Sequence, residues 1–263
     1  MMHYSFHALT DAGLVRANNE DALAFDTDLG VAVLADGMGG YNAGEVASSM
    51  AVQLVTSELV RWLSAEDRHH SPSQVARMLE TCFDEANMAI LNAANANPQY
   101  AGMGTTLVAA VFHGGKLVLG HVGDSRCYRL RDGVLTQITK DHSMLQEQVD
   151  AGYLTQEQAA YAPGKNLLTR ALGVEDVVRV EIHEHPVQDG DLYVMCTDGL
   201  TDMLTDKDIL SSLNNHNNLT LVATELVARA NLNGGRDNIS VLLAQAGQAP
   251  EKSGLISRLF GKP

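Results

Sequence analysis

Basic residues are scarce in this chain. Its 18 Lys and Arg stand against 32 Asp and Glu, a formal net charge of -14 over 263 residues. Phosphate backbones require a basic field, so general nucleic-acid binding is not expected. No apolar run approaches the roughly 18 residues that a membrane span requires. The amino-terminal MMHYSFHALTDAG has neither a basic n-region nor an apolar h-region, and no secretory leader is expected. Cysteines are few. Cys82, Cys127 and Cys196 are odd in number and widely spaced, and two of them lie inside apolar runs. That pattern suits buried, reduced thiols in a cytoplasm rather than disulfides or a zinc site. HExxH, paired CxxC, GxSxG and Walker motifs are absent, which removes the chemistries they mark. No repeat, charge block or Pro/Ser-rich linker divides the sequence. One domain is expected over residues 1–246, followed by a tail at 247–263.

What is present begins with short apolar runs that read as buried strands: 31–35, 107–112, 117–119, 192–195 and 239–243. Gly114-Gly115 and Asp132-Gly133 read as hairpin turns, so 104–139 is expected to be an antiparallel meander. Apolar residues at helical spacing predict helices over 45–63 and 73–95, with shorter ones at 206–213 and 220–230. Strands between helical blocks imply an α+β architecture in layers, sheets inside and helix pairs outside. Residues 141–178 are too polar and broken for core and read as a surface flap. It carries helical pieces at 143–151 and 155–160, the second opened by a Thr155-x-x-Gln158 capping box. Arg126, Arg129 and Arg131 read as the solvated face of a strand. His121 and His142 read as structural or solvent-facing. In the tail, Leu255, Ile256, Leu259 and Phe260 fall at helical spacing, and a frayed terminus is the favoured reading.

Aspartate recurs at the ends of the apolar strands. Asp36 and Asp198 each follow one and precede glycine; Asp21 and Asp237 each precede one; Asp124 lies in Gly123-Asp124-Ser125-Arg126. Any single instance reads as a turn marker. In an antiparallel sheet, however, the end of one strand lies beside the start of its neighbour, so five such residues can gather at one edge. Clustered carboxylates repel one another by several kcal/mol unless a cation intervenes. Oxygen-only ligands suit Mg²⁺ or Mn²⁺. A bound cation is also the route by which an acidic protein could act on phosphate.

The motifs resemble those of one family. Arg16-x-x-Asn19-Glu20-Asp21, Asp36-Gly37-Met38-Gly39-Gly40 with Gly44-Glu45, Gly104-Thr105-Thr106, Gly123-Asp124-Ser125-Arg126, Thr197-Asp198-Gly199 and Asp237-Asn238 occur in one order. The series is similar to that of bacterial PP2C-type (PPM) serine/threonine phosphatases over roughly residues 5–244. The resemblance implies an αββα sandwich, with Asp36 bridging two metal ions and the Gly37 carbonyl binding one. It implies that Asp198 and Asp237 complete the second ion's carboxylates, with Glu20 and Asp21 acting nearby, directly or through metal-bound water. Asp124 with Asp198 would hold a weaker third ion, and Arg16 would grip the substrate phosphate through its planar fork of donors. Two Mn²⁺ or Mg²⁺ ions would lower the pKa of an attacking water, without a phosphoenzyme. Met38 cannot protonate the leaving oxygen, which leaves the general acid unassigned. Tyr41 stands where bacterial relatives often carry His. The implied setting is a cytoplasmic monomer acting on phosphoproteins, opposite a Ser/Thr kinase. Its rivals are a phosphoprotein-binding pseudophosphatase, which would lack a ligand aspartate, and a two-metal phosphodiesterase, which usually adds histidine ligands.

Overall fold

Strands with both faces covered read as unbroken apolar runs, and this chain builds its centre that way. The computed structural model describes residues 2–40, 43–65, 70–159, 162–164 and 166–248. Tyr41 and the tail residues 249–263 lie outside them.

In chain order, β1 (Met2–Asp11), β2 (Asp21–Asp26) and β3 (Val31–Met38) precede α1 (Ala43–Leu63) and α2 (Pro72–Ala96). β4 (Gly104–Thr105), β5 (Leu107–His113), β6 (Lys116–Val122), β7 (Arg126–Arg131) and β8 (Val134–Gln137) follow. α3 (Met144–Asp150) and α4 (Gln156–Ala159) lead to β9 (Glu181–Pro186) and β10 (Leu192–Cys196). α5 (Asp198–Thr201), α6 (Asp206–Asn215), α7 (Leu219–Leu232) and β11 (Ile239–Gln248) close the described chain. One antiparallel sheet runs β1-β11-β10-β7-β8; the other runs β2-β3-β5-β6-β9, with β4 against β3.

Side-chain alternation sorts these strands into four layers. Val31, Val33 and Ala35 of β3 pack under α1 and α2, while Ala32 and Leu34 face the other sheet. Val194 and Cys196 of β10 pack against α6 and α7, while Tyr193 and Met195 face inward. The result is the αββα sandwich. The helices start where capping predicts: Ser71 closes a capping box with Gln74 ahead of Pro72, and Thr155 does the same with Gln158. All three cysteines are free and buried. Among the described residues no helix is long and apolar enough to cross a membrane.

Three expectations need correction. The stretch 104–139 is not one meander: β5-β6 lies in one sheet and β7-β8 in the other, and Gly123-Asp124-Ser125 is the crossing between them. The turn signals mark hairpins but carry no information about which sheet each joins. The 141–178 segment is not wholly surface, because Ala171 and Leu172 are buried and Leu172 pairs with Thr105. The arginines of β7 do not form a solvated face: Arg126 pairs with Asp141 and Arg131 with Asp191, each at 2.6 Å. Of the two readings given for His121 and His142, the structural one holds, since both are buried and hydrogen-bonded to backbone. Two strands, β1 and β9, went unread. β9 (EIHEHP) is a polar strand at a sheet edge and has no apolar run to announce it.

Candidate active site

Each acidic side chain reaches the site from a different strand end. Asp21 opens β2 and stands opposite Asp36 in the β2-β3 register. Asp198 begins α5 directly after β10, Asp237 directly precedes β11, and Asp124 sits in the crossing between sheets. Glu20, Asp36, Asp124, Asp198 and Asp237 line one cleft of about 180 Å³, with Arg16, Gly37, Met38, Thr106, Asn166, Leu168 and Asn238. Asp21 lies behind the cleft: its Oδ2 accepts from the Thr197 hydroxyl at 3.0 Å, and its buried Oδ1 has no partner.

The glycines after Asp36 and Asp198 work by absence. A Cβ on Gly37 would collide with the Gly44 carbonyl, and one on Gly199 with the Asn238 carbonyl. Only glycine lets α1 and the start of β11 close on these turns.

Hydroxyls and one amide hold the frame. Thr106 Oγ1 accepts from the Asp36 amide at 3.0 Å and shares a 2.7 Å hydrogen bond with Ser125 Oγ. Asn238 accepts from the Glu20 amide at 2.8 Å and donates to the carbonyls of Ala12 and Asn18 at 3.0 and 2.8 Å. It therefore ties the loop bearing Arg16 and Glu20 to the strand that follows Asp237. The sequence placed Asn238 in a motif without showing this role, because its partners lie more than 200 positions away. Asn166 and Leu168, the flap's contribution to the wall, had no sequence signal.

Burial and mutual repulsion set the electrostatics. Burial raises Asp36 well above the carboxylate range, reinforced by Asp21, Asp198, Asp124 and Asp237. The same causes lift Asp198 to about 6, where Asp202 and Asp237 add to burial. Asp21 rises to about 7, and Asp124 to about 8, burial leading and Asp198 next. Carboxyls raised this far hold protons near neutral pH. Protons thus stand where a cation would serve better. With the unpaired Asp21 Oδ1 and an oxygen-only donor set, the site fits hard divalent cations. Arg16, half-exposed at the mouth, pairs with Asp237 at 2.6 Å.

A stability prediction follows. Carboxyls raised in the folded state stabilise it fully below their unfolded pKa of about 4, and that contribution is lost as pH rises through about 6 to 8. Thermal melts in chelator are expected to give a lower Tm at pH 8 than at pH 7, and excess Mg²⁺ is expected to remove most of the difference. A chelated protein equally stable at both values would show the cluster is not charged against itself.

The protein phosphatase 2C family model matches residues 15–233. The chain belongs to the protein phosphatase 2C family. A serine/threonine phosphatase, stp, of Listeria monocytogenes is 38% identical over 250 residues, spanning 93% of this chain and 96% of that one. The solved structure of the Mycobacterium tuberculosis serine/threonine phosphatase PstP/Ppp superposes with a TM-score of 0.86 at 37% identity. That match covers 94% of this chain and 100% of the other. A PstP catalytic domain solved with two manganese ions matches with a TM-score of 0.81 at 38% identity, over 94% and 100% of the two chains. As a member of protein phosphatase 2C, the chain is a protein phosphatase, and its sandwich is the fold of that family.

Proposed function

We propose that this phosphatase hydrolyses phosphoserine and phosphothreonine esters in proteins by direct attack of water, with Mn²⁺ or Mg²⁺ held by the carboxylate cluster. The observation that carries the reading is the gathering of Glu20, Asp36, Asp124, Asp198 and Asp237 around one cleft with Arg16 at its mouth. In this reading Asp36, the Gly37 carbonyl, Asp198 and Asp237 hold two ions, supported by Glu20 and Asp21. Asp124 with Asp198 holds a weaker third. Divalent cations, when bound, supply Lewis-acid charge and lower the pKa of water. The manganese in the matched PstP domain supports the choice of metal.

The chain's own residues do the rest. Thr106 and Asn238 keep the carboxylates and the Arg16 loop in register. Arg16 has a planar fork of donors suited to two phosphate oxygens, and its half-exposed position leaves it reachable by substrate. Among the described residues lining the cleft there is no His, Lys, Tyr or Cys. In this reading a carboxyl of the cluster or water protonates the leaving seryl oxygen. The buried thiols support a cytoplasmic setting, and the substrate class implies an opposing Ser/Thr kinase. The chain acts as a monomer in this reading.

Turnover of phosphoserine and phosphothreonine peptides beside a phosphotyrosine peptide and a phosphodiester tests the proposal. Preference for the first two is expected; preference for the diester would replace this reading with a phosphodiesterase, and no turnover with a binding module. In the same assay, Arg16→Ala is expected to raise KM about tenfold or more, because a charge-assisted hydrogen bond contributes roughly 1.5–3 kcal/mol. Unchanged KM and kcat would reduce Arg16 to the surface ion pair it makes with Asp237.

A further inference from the structure

Beside the cleft lies a buried cluster that the proposed chemistry does not use. The rings of His121 and His142 stack at 4.8 Å between centroids with 13° between planes. His142 grips the crossing turn twice. Its amide donates to the Gly123 carbonyl at 2.9 Å, and its Nδ1 accepts from the Gly123 amide at 3.1 Å. At the far side of the ring, Nε2 lies 3.2 Å from Glu181 Oε1. Arg170 Nη1 lies 3.1 Å from the same Nε2 and 3.2 Å from the same carboxylate oxygen.

These contacts assign the tautomer. A backbone amide only donates, so Nδ1 must be bare and Nε2 must carry the proton. Glu181 receives that proton's hydrogen bond, and Arg170 donates to Glu181 rather than to the ring. His121, His142 and Glu181 also place possible ligand atoms within 4.8 Å of one another. A cation there would need a lone pair on His142 Nε2, and a neutral ring whose Nδ1 accepts from Gly123 has none to give. The Arg170 guanidinium already supplies the positive charge. The cluster is therefore not a metal centre.

We infer that His142, oriented by Glu181, is a positioning residue that locks the Gly123-Asp124 turn to the flap wall of the cleft. The flap side of the lock is as direct as the turn side. The Thr169 amide donates to the His142 carbonyl at 2.9 Å, Arg170 follows it, and Asn166 and Leu168 just before it line the cleft. Gly123 has φ of +101°, and a Cβ there would meet the Thr106 side chain, so the position takes glycine, whose own backbone preference does little to fix the turn beside the two His142 hydrogen bonds. Asp124 is thereby placed by the same histidine that places the flap, and a change in either reaches the other. The consequence for catalysis rests on the reading of Asp124 as a ligand of the weak third ion.

The test uses the full chain with His142→Leu, His142→Asn and Glu181→Ala. In the metal-free proteins, hydrogen exchange at the Gly123 amide is followed by NMR; Mg²⁺ titration calorimetry then measures the weak site. His142→Leu is expected to speed exchange at Gly123 and weaken the third ion about 10–100-fold, the usual effect of losing a residue that orients a ligand. His142→Asn places an amide oxygen where Nδ1 stood and is expected to recover most of both. Glu181→Ala, on an edge strand that tolerates change, is expected to loosen the turn by a smaller factor. A folded His142→Leu with wild-type exchange and wild-type weak-ion affinity would overturn the inference. Where that variant does not fold, the same result for Glu181→Ala would do so. A wild-type protein that binds no third ion would refute the role given to Asp124 under the proposed function. It would leave the lock to the metal-free exchange measurement, which decides it alone.

Discussion

Asp36→Asn is expected to leave a folded protein with phosphopeptide turnover lower by about 10³-fold or more, even at saturating Mn²⁺. The substitution keeps the size and shape of the side chain and removes one charge. Asp36 sits in the field of Asp21, Asp198, Asp124 and Asp237, and it faces Asp21 across the β2-β3 pair. A cation at this side chain would offset the repulsion among all of them. Because repulsion within the cluster falls when Asp36 is neutral, the metal-free variant is also expected to melt higher than the metal-free wild type at pH 8. A variant that loses activity and stability together would instead point to a collapsed fold.

The second large effect is expected at Asp124. Asp124→Ala is predicted to keep the fold and the two tighter ions while lowering kcat by about 10²-fold, the size of a few kcal/mol of charge stabilisation in the transition state. Two carboxylates, one of them shared with another ion, leave most of an octahedral shell to water, so this ion is expected to bind weakly. Burial and the nearby Asp198 hold the Asp124 carboxyl up at about 8, so it gives up its proton reluctantly. Calorimetry beside phosphopeptide kinetics separates the outcomes. Wild-type kcat at saturating Mn²⁺ would reduce Asp124 to a turn residue, and loss of the tight ions would place it in the central cluster.

The acidic cluster was legible because it is written locally. Asp36 and Asp198 each end an apolar run and meet a glycine; strand pairing sets Asp36 beside Asp21, and the packing of one sheet on the other brings in Asp198 from β10. The layers were legible for the same reason, since Val31 to Ala35 and Leu192 to Cys196 are apolar on both faces. What stayed hidden depends on long-range pairing. The Asp132-Gly133 turn announces a hairpin but not the sheet it joins, so the crossing at Asp124 was misread as one turn within a meander. Asn238 and His142 carry ordinary polar side chains, and only folding shows that one holds the Arg16 loop and the other the Gly123 turn. The arginines of β7 misled for a related reason. Their carboxylate partners, Asp141 and Asp191, lie 15 and 60 positions further along the chain.

The central claim is that the carboxylate cluster works only with divalent cations in it. Its direct test is hydrolysis of a phosphothreonine peptide by the wild-type protein, stripped with EDTA, dialysed and then titrated with Mn²⁺. The stripped protein is expected to show no turnover above background, with full recovery as Mn²⁺ is added. Undiminished hydrolysis by protein verified free of metal would contradict it.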